Sequence, residues 1–203
     1  MRVLEYSSDV AFSPAVKGIQ EKKGSRRGYH AMEERGGWRT AITPELAAYI
    51  AERNSAFLST ASADGQPYIQ HRGGPKGFIH VLNERTLAFA DFSGNRQYIS
   101  EGNLTENDKA MLFLMDWRSR SRVKIWGTAK MVPADDHLLA KLGPPANYPA
   151  KVEQVLVFTV SAWDTNCNQH IPILLGLEEL QQLLADRDAR IQALEAELAK
   201  TRG

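Results

Sequence analysis

One short stretch of the sequence combines residue types that bind anions. The run "DFSGNRQYISEGNL", residues 91–104, follows an apolar segment and contains a serine, an asparagine and an arginine. We expect Ser93 to cap a helix that begins near Gly94. The free N–H groups of the first turn of such a helix would suit a phosphate. Asn95 can donate a further hydrogen bond, and the Arg96 guanidinium can bond two phosphate oxygens at once. The run therefore predicts an anion site.

A second basic group follows in "SRVKIWG". If this run is a strand, Arg122, Lys124 and Trp126 share one face, and the residues between them point to the core. Two cations and an indole could hold a ligand with an acidic group and a ring, with Arg72 as a third positive site. The same pattern also describes a solvated strand face, and spacing alone leaves both interpretations open.

Other catalytic patterns are weak. None of the five histidines has a second histidine at ligand spacing and the chain has one cysteine, so we predict no metal site. Cys167 and His170 could form a nucleophile and base, but a lone cysteine is more often a small packing residue. The glycines of "HRGGPKG" stand between two strands, where they favour the close approach of a flat ligand rather than a phosphate loop.

Composition limits the class of protein. The chain has 203 residues, 43% apolar and 24% charged, with a net charge of +1. This balance predicts a folded domain and argues against a nucleic-acid-binding protein. No apolar run approaches the roughly 18 residues that a membrane span needs. The N-terminal segment lacks the apolar block of a secretory signal, so we expect a cytoplasmic protein with no membrane partner.

The elements that would position these residues follow from periodicity and turn signals. Ser13-Pro14 and Thr43-Pro44 each predict the start of a helix. From residue 56 the period changes to that of strands, and three strand pairs are joined by the turns "ADGQ", "NER" and "WRSR". Short helices are predicted at "NRQYISEGNL" and "PADDHLLAKL". The last strand is predicted at "EQVLVFTVSAW". Closely spaced strands joined by hairpin turns predict a mostly antiparallel sheet closed as a small barrel.

The C-terminal segment has a heptad pattern. Leucine or isoleucine recurs every seven residues, with a second apolar position that Arg187 interrupts. This spacing indicates a coiled coil that mediates self-association; the alternative is a helix packed on its own domain. The apolar positions are Leu177, Leu180, Leu184, Ile191, Leu194 and Leu198.

Four motifs in this order resemble the pyridoxamine 5'-phosphate oxidase-like, FMN-binding split-barrel superfamily, and within it a flavin-nucleotide-binding subgroup. They are "QPYIQHRGGPKGF", "RTLAFADFSGNRQYISEGNL", "FLMDWRSRSRVKIWGTAKMV" and "WDTNCNQHIP", and the similarity spans residues 57–172. The resemblance implies a mainly β fold, a six-stranded antiparallel split β-barrel of Greek-key type with flanking helices. It also implies a homodimer with FMN at each side of the interface.

The resemblance assigns residues and boundaries. It implies an FMN-binding barrel over residues 44–172, preceded by a helical or irregular lead-in over 1–43, and the heptad pattern adds a C-terminal helix over 173–203 that could form a coiled coil. The implied cofactor-binding residues are Gln70, His71, Arg72, Gly73, Asp91, Ser93, Asn95, Arg96, Gln97, Arg122, Lys124, Trp126, Asn166 and Gln169.

The departures from the family pattern bear on activity. Gln97 stands where the oxidases usually have a lysine, and Arg122 stands where they have a glutamine and could compensate. The closing segment with arginine and tryptophan is replaced by "TNCNQHIPI", so we do not expect a true pyridoxamine phosphate oxidase. In the subgroup this element is characteristic, which places Asn166, Gln169 and His170 near the flavin ring. His170 could donate a proton there, or serve a purely structural role.

Three functions therefore stand open at this point. The first is an FMN-dependent oxidoreductase with a small-molecule substrate or a nicotinamide donor. The second is a flavin-binding protein without turnover, serving as a carrier, sensor or electron-transfer partner. The third is a split barrel that binds deazaflavin or haem. If the ligand is haem, His71 or His170 would be its axial ligand.

Overall fold

The structure, a computed structural model, describes residues 4–165 and 169–202. These residues form two compact units. The first contains residues 4–115 and 122–165, and the second contains Asp116–Ser121 with residues 169–202. Within the described ranges, no helix combines the length and the apolar character needed to cross a bilayer.

The lead-in is helical, as its start signals predict. After a short 3-10 helix at Ser7–Val10 come α1 (Pro14–Lys22), α2 (Arg26–Glu34) and α3 (Pro44–Ala51). The Ser13 side chain accepts a hydrogen bond from the Val16 N–H at 3.2 Å, which confirms Ser13 as the N-cap of α1.

The start of α3 follows the same design. The Thr43 side chain accepts a hydrogen bond from the Leu46 N–H at 3.3 Å, and Pro44 occupies the first helical turn. Proline fits that position because the missing N–H would have no partner inside the helix. The predicted helix start at Thr43-Pro44 is therefore confirmed.

A buried charge cluster holds the first part of the lead-in together. The Glu33 carboxylate is fully buried and forms an ion pair with Arg26. It also accepts a hydrogen bond from the Ser8 hydroxyl at 3.0 Å, and the Lys17 ammonium lies 3.7 Å away. Burial alone would raise the pKa of Glu33, but the hydrogen bonds from Arg26 and Ser8 and the nearby positive charges lower it.

The sheet has seven strands, one more than the resemblance implies and the number that the strand pattern predicts. Their spatial order is β2-β1-β5-β6-β7-β4-β3, and the described pairings are antiparallel. The strands are β1 (Ser55–Ala61), β2 (Pro67–Gly73), β3 (His80–Asn83), β4 (Thr86–Phe92), β5 (Lys109–Asp116), β6 (Ser121–Pro133) and β7 (Val152–Thr165).

The core lies against one face of this sheet. In β1, residues alternate strictly between buried and half-exposed, so that Ala56 and Leu58 pack inward. In β6, Val123 and Ile125 are buried while the residues on either side of them are not, as the strand pattern predicts. The fully buried Phe158 of β7 joins the same cluster.

Three helices follow or interrupt the strands, namely α4 (Ile99–Glu106), α5 (Asp136–Leu142) and α6 (Leu177–Arg202). The expectation that Ser93 caps a helix near Gly94 is wrong, because α4 begins at Ile99 and its N-cap is Tyr98. The Ser93 N–H instead donates to the Lys151 carbonyl oxygen at 2.9 Å. Residues 93–97 are therefore a loop between β4 and α4.

Helix α6, in the second unit, is 26 residues long. The leucines and isoleucine of the heptad pattern are all exposed in it, from 41% at Leu184 to 71% at Leu177. Within the same unit, the Arg118 guanidinium forms an ion pair with Glu179 at 2.8 Å.

Candidate functional site

A small cleft lies where the loop before α4 meets strands β2, β4 and β7 of the first unit. Its volume is about 50 Å³. Six of the residues expected to bind a cofactor line it: Gln70, Arg72, Asp91, Asn95, Arg96 and Gln97. Residues that stand up to 27 positions apart in the sequence therefore share one cleft.

Strand β2 supplies one wall through its alternation. Tyr68, Gln70 and Arg72 are half-buried and line the cleft, whereas Ile69 and His71 are exposed between them. The Ser100 hydroxyl of α4 donates to the Gln70 side-chain oxygen at 2.8 Å, which fixes the strand against the helix. This alternation turns the side chains of Gln70 and Arg72 toward the cleft and places His71 on the opposite face of β2.

His71 has its own environment. Its Nε2 atom lies 2.9 Å from the Ser55 hydroxyl, and its ring meets the Phe57 ring edge-on at 5.8 Å. Neither His71 nor Gly73 is among the residues that line the small cleft in the described part of the chain.

Asp91 and Arg72 form an ion pair inside the cleft. The Arg72 Nη1 atom donates to Asp91 Oδ1, and the Gln154 amide donates to Asp91 Oδ2 at 3.3 Å. The Gln154 contact follows from the sheet, because Asp91 and Gln154 are register partners of β4 and β7. Burial raises the pKa of Asp91 above its ordinary value, against the opposing effects of the Arg72 charge and the Gln154 hydrogen bond. Asp91 therefore orients Arg72.

The loop before α4 has an unusual backbone. Arg96 and Tyr98 have φ angles of 60° and 52°, in the left-handed region that residues with side chains seldom adopt. The Gln97 N–H donates to the Asn95 side chain at 3.2 Å, which stabilises the turn. Turns that include a left-handed residue are among the backbone geometries that form anion-binding sites in proteins.

Helix α4 begins at the same cleft. The first hydrogen bond of its backbone ladder runs from the Gly102 N–H to the Tyr98 carbonyl oxygen at 2.8 Å. The N–H groups of Ile99, Ser100 and Glu101 precede that bond and have no place in the ladder, and all three residues line the cleft. The positive end of the helix dipole therefore faces the cleft.

The donors present suit a phosphate group. The Arg72 Nε atom is buried and has no hydrogen-bond partner among the residues that the structure describes. Arg96 is exposed at the rim, beside the loop N–H groups. Besides Asp91, which pairs with Arg72, the carboxylates of Glu101 and Glu153 line the cleft and oppose a bound anion. The cleft is far smaller than the 300–1,000 Å³ typical of ligand sites, so it fits the phosphate end of a nucleotide and not its ring.

The other expected residues lie elsewhere. Lys124 and Trp126 line a different cleft, and Arg122 lines neither of the two. Gln169 and His170 are exposed residues of the second unit, where His170 has a φ angle of 61°. Asn166 and Cys167 lie outside the described residues.

Sequence reasoning missed several residues of the cleft. Glu153 and Gln154 interrupt the apolar run of β7 with polar side chains, and this interruption is a signal that could have been used. Tyr98, Ser100 and Glu101 lie within the stretch first considered, but their role depends on where α4 begins.

A family model confirms the resemblance. The model described as pyridoxamine 5'-phosphate oxidase matches residues 42–167, which is more than half of the chain. The chain belongs to the pyridoxamine 5'-phosphate oxidase family. Its mainly antiparallel sheet with flanking helices is the fold expected for that family.

The solved structures that match this chain have low sequence identity to it. HupZ from Group A Streptococcus is 17% identical and covers 66% of this chain and 99% of its own, with a TM-score of 0.46. An FMN-binding protein from Syntrophomonas wolfei is 16% identical and covers 77% and 99%, with a TM-score of 0.44. HutZ, a heme storage protein from Vibrio cholerae, is 16% identical and covers 59% and 89%, with a TM-score of 0.40. These similarities are too low to assign any of their ligands to this chain.

No curated protein matches the chain significantly.

Proposed function

We propose that this protein is an FMN-binding flavoprotein that uses its bound flavin in an oxidation–reduction reaction. The observation that carries the proposal is the small cleft beside α4. The loop with left-handed Arg96, the first turn of α4 and the Arg72 guanidinium all line it. Membership of the pyridoxamine 5'-phosphate oxidase family supports the same assignment.

Each residue has a defined part in holding the phosphate. Arg96 and the N–H groups at the start of α4 bind the phosphate oxygens, and Asn95 shapes the loop. The largely buried Arg72 guanidinium contributes positive charge to the cleft, and its ion pair with Asp91 fixes its orientation. Arg122, Lys124 and Trp126 do not line this cleft, and the resemblance alone proposes them as flavin contacts. The flavin, when bound, supplies the redox chemistry, and the protein supplies its position and the charge around it.

A second copy of the chain would complete the site. The small cleft leaves the flavin ring outside, and β2 stands at one end of the strand order. Its Ile69 side chain is 63% exposed, which is unusual for isoleucine in a strand. A partner chain packed against this face of β2 would remove the apolar surface from water. We therefore propose a homodimer with FMN at its interface, as the family resemblance implies.

The open face of the ring is assigned by resemblance alone. Asn166, Gln169 and His170 are proposed to lie toward it, with His170 as a proton donor or substrate contact. The substrate is proposed to be a small molecule, with a nicotinamide as one possible electron donor. A carrier or sensor without turnover is the alternative, since the sequence carries no recognisable substrate clamp.

The visible spectrum of the purified protein tests the proposal. We expect the two absorption bands of oxidised flavin, either as purified or after addition of FMN. A Soret band would identify haem instead and contradict the proposal. A colourless protein that takes up no FMN would also contradict it.

A reduction experiment then separates an enzyme from a carrier. If the protein is an oxidoreductase that uses a nicotinamide, adding NADH or NADPH without oxygen should bleach the bound flavin within a catalytic timescale. A flavin that bleaches with dithionite but with neither nicotinamide would argue against a nicotinamide-dependent enzyme and favour the carrier function or another donor.

A further inference from the structure

A cavity lies beside α5 in the first unit, on the side of β3 and β4 away from the main core. Its volume is about 330 Å³, within the range of sites that hold small organic molecules. Residues 75–78, 80, 90, 92 and 142–145 line this α5 cavity. Among the described residues, its lining includes none to which the resemblance assigns a cofactor contact. The α5 cavity is therefore a candidate for a second site.

The side-chain sizes along β4 leave room for this cavity. Leu87 and Phe89 pack in the main core, so the residues that alternate with them, Ala88 and Ala90, point to the opposite side. There Ala88 packs in a second apolar cluster with Leu142 of α5. The two alanines are buried, but they have no side chain beyond Cβ. Helix α5 therefore covers the strand while the space in front of Ala90 stays open.

The walls of the α5 cavity are held by backbone hydrogen bonds. On one side, the Gly77 N–H donates to the Arg53 carbonyl oxygen at 2.9 Å, and Gly77 has a φ angle of 80° that favours glycine. On the other side, the Tyr148 N–H donates to the Pro145 carbonyl oxygen at 2.9 Å. Three prolines in the lining have φ angles that their rings fix. Because these walls are ordered before a ligand arrives, the protein would lose little entropy on binding.

One polar ring lies among the apolar walls. His80 is the register partner of Ala88 in the pairing of β3 with β4, so its side chain lies on the same side of the sheet as α5. The ring is half-buried and has no hydrogen-bond partner within the described part of the chain. Burial, together with the nearby Lys141 charge, lowers the pKa of His80 from its ordinary value of 6.5, so the ring is uncharged at neutral pH. A neutral imidazole can donate one hydrogen bond and accept another.

The lining has no free partner for a charged ligand. No carboxylate lines the α5 cavity in the residues that the structure describes, so a cationic group would find no anion there. The one lysine of the described lining, Lys76, is exposed and forms an ion pair with Glu52. Lys141 is also exposed and is not part of the lining. A charged group would therefore leave water without compensation, which apolar surroundings penalise.

We propose that the α5 cavity binds a small uncharged molecule that is mainly apolar and carries one hydroxyl group. The apolar part packs against Phe78, Phe92 and the prolines, where the burial of apolar surface stabilises the complex. The hydroxyl group forms a hydrogen bond with the half-buried His80 ring. This site is additional to the proposed flavin site, and it does not require a bound flavin.

Three matched probes test the class of ligand, each titrated into the full chain and followed through backbone amide NMR shifts. 4-Methylphenol has an apolar ring and a hydroxyl group. Toluene lacks the hydroxyl group, and 4-methylbenzoate has a charged carboxylate in its place. We expect 4-methylphenol to bind with a Kd below about 1 mM and each of the others to bind at least about fivefold more weakly. No binding of 4-methylphenol up to about 1 mM, or equal binding of either control, would overturn the proposal.

Variants of His80 test the polar contact. His80→Phe keeps a flat ring but removes the hydrogen bond, so it should bind 4-methylphenol and toluene about equally. His80→Gln should keep the preference for 4-methylphenol. His137→Phe, at an exposed position of α5 outside the lining, is the control and should leave both affinities unchanged. If His80→Phe keeps the full preference for 4-methylphenol, the hydroxyl group does not bind His80 and the proposal is overturned.

A variant of Ala90 tests the location. Ala90→Leu fills the space in front of β4 and should weaken both 4-methylphenol and toluene at least about tenfold. The melting temperature shows whether this variant is folded, and the His80→Phe test does not depend on it. Unchanged binding of both probes to folded Ala90→Leu would overturn the proposal.

FMN binding distinguishes this site from the proposed flavin site, which adjoins it because Phe92 lines both. His80→Phe should weaken 4-methylphenol and leave FMN affinity as in the wild type. If His80→Phe weakens both equally, the α5 cavity is part of the flavin site and the proposal is overturned. If the protein binds 4-methylphenol but no FMN, the flavin proposal fails and this one stands.

Discussion

Arg72 and Asp91 show how single atoms set the character of the small cleft. Arg72 Nη1 is used by Asp91, while Arg72 Nε is buried with no partner in the described part of the chain. The carboxylate therefore does not cancel the guanidinium. It holds the side chain in one orientation, and the guanidinium still contributes positive charge beneath the cleft. The raised pKa of Asp91 reflects the burial of this pair.

Gln97 offers a gain-of-function test at the scale of one residue. It is exposed in the loop of the small cleft, at the position where the oxidases usually carry a lysine. Gln97→Lys adds a positive charge near the proposed phosphate, so we expect FMN affinity to rise roughly fivefold, or about 1 kcal/mol. Fluorescence titration measures this. Gln66→Lys, at an exposed turn, is the matched control and should change nothing. Equal affinities for wild type and Gln97→Lys would argue that this loop does not face the phosphate.

At the scale of elements, helix α2 depends on the buried Glu33 carboxylate. Glu33→Gln leaves Arg26 and Lys17 without their shared negative partner, and we expect it to lower the free energy of unfolding at neutral pH by about 3 kcal/mol. Urea unfolding measures this. Glu34→Gln, on the same helix but with a side chain that is 62% exposed, should cost little. A loss equal to that of Glu34→Gln would show that the cluster contributes no stability.

The same carboxylate predicts a pH dependence. Because the folded-state pKa of Glu33 is lowered from its ordinary value of 4.5, its contribution is present above that value. It is lost as the pH falls through the lower folded-state pKa. We therefore expect wild-type stability to fall more steeply than that of Glu33→Gln in acid below pH 4.5. Parallel stability curves for the two proteins would refute this assignment.

Helix α6 predicts self-association through its heptad positions. Arg187 interrupts the apolar positions, so Arg187→Leu should strengthen association between chains, and Leu184→Asp should weaken it. Ala189→Asp, on the outward face of the heptad, is the control and should have no effect. Sedimentation equilibrium of the full chain checks all three. If Leu184→Asp and Ala189→Asp behave alike, α6 does not pair through this face.

The elements were largely predictable because their signals are local. The Ser13-Pro14 and Thr43-Pro44 starts and the Asp64-Gly65 turn act within a few residues, and the structure has the helices and the hairpin at these positions. The start of α4 was not predictable in this way. Its N-cap is a left-handed tyrosine with no capping side chain, a conformation that only the surrounding fold can enforce.

The site was only partly predictable, for a similar reason. Alternation placed Lys124 and Trp126 on one face of β6, which the structure confirms. It could not say that the lead-in would cover that face and create a separate cleft. Gln154 enters the small cleft only because β7 pairs with β4, a contact between residues 63 positions apart. Pairing over such distances depends on the tertiary structure.

At the scale of the whole molecule, we expect the two units to have different functions. Every described residue proposed to hold the phosphate belongs to the first unit, and α6 belongs to the second. We therefore expect a chain shortened before Leu177 to bind FMN as the full chain does and to remain a dimer, although one that associates more weakly than the full chain. Light scattering and FMN titration measure these properties. If the shortened chain is monomeric and binds no FMN, α6 is required to assemble the site.

The affinity ratio of FMN to riboflavin tests the central claim most directly, because the two ligands differ only in the phosphate. Arg96→Ala should weaken FMN by about 1.5–3 kcal/mol, roughly 10-fold to 150-fold, since it removes a charged hydrogen bond, and should leave riboflavin affinity unchanged. Arg96→Lys keeps the positive charge and should retain part of the preference for FMN over riboflavin. Arg190→Ala, on the exposed surface of α6, should change neither affinity. An unchanged ratio in Arg96→Ala, or no binding of FMN by the wild type, would contradict the account.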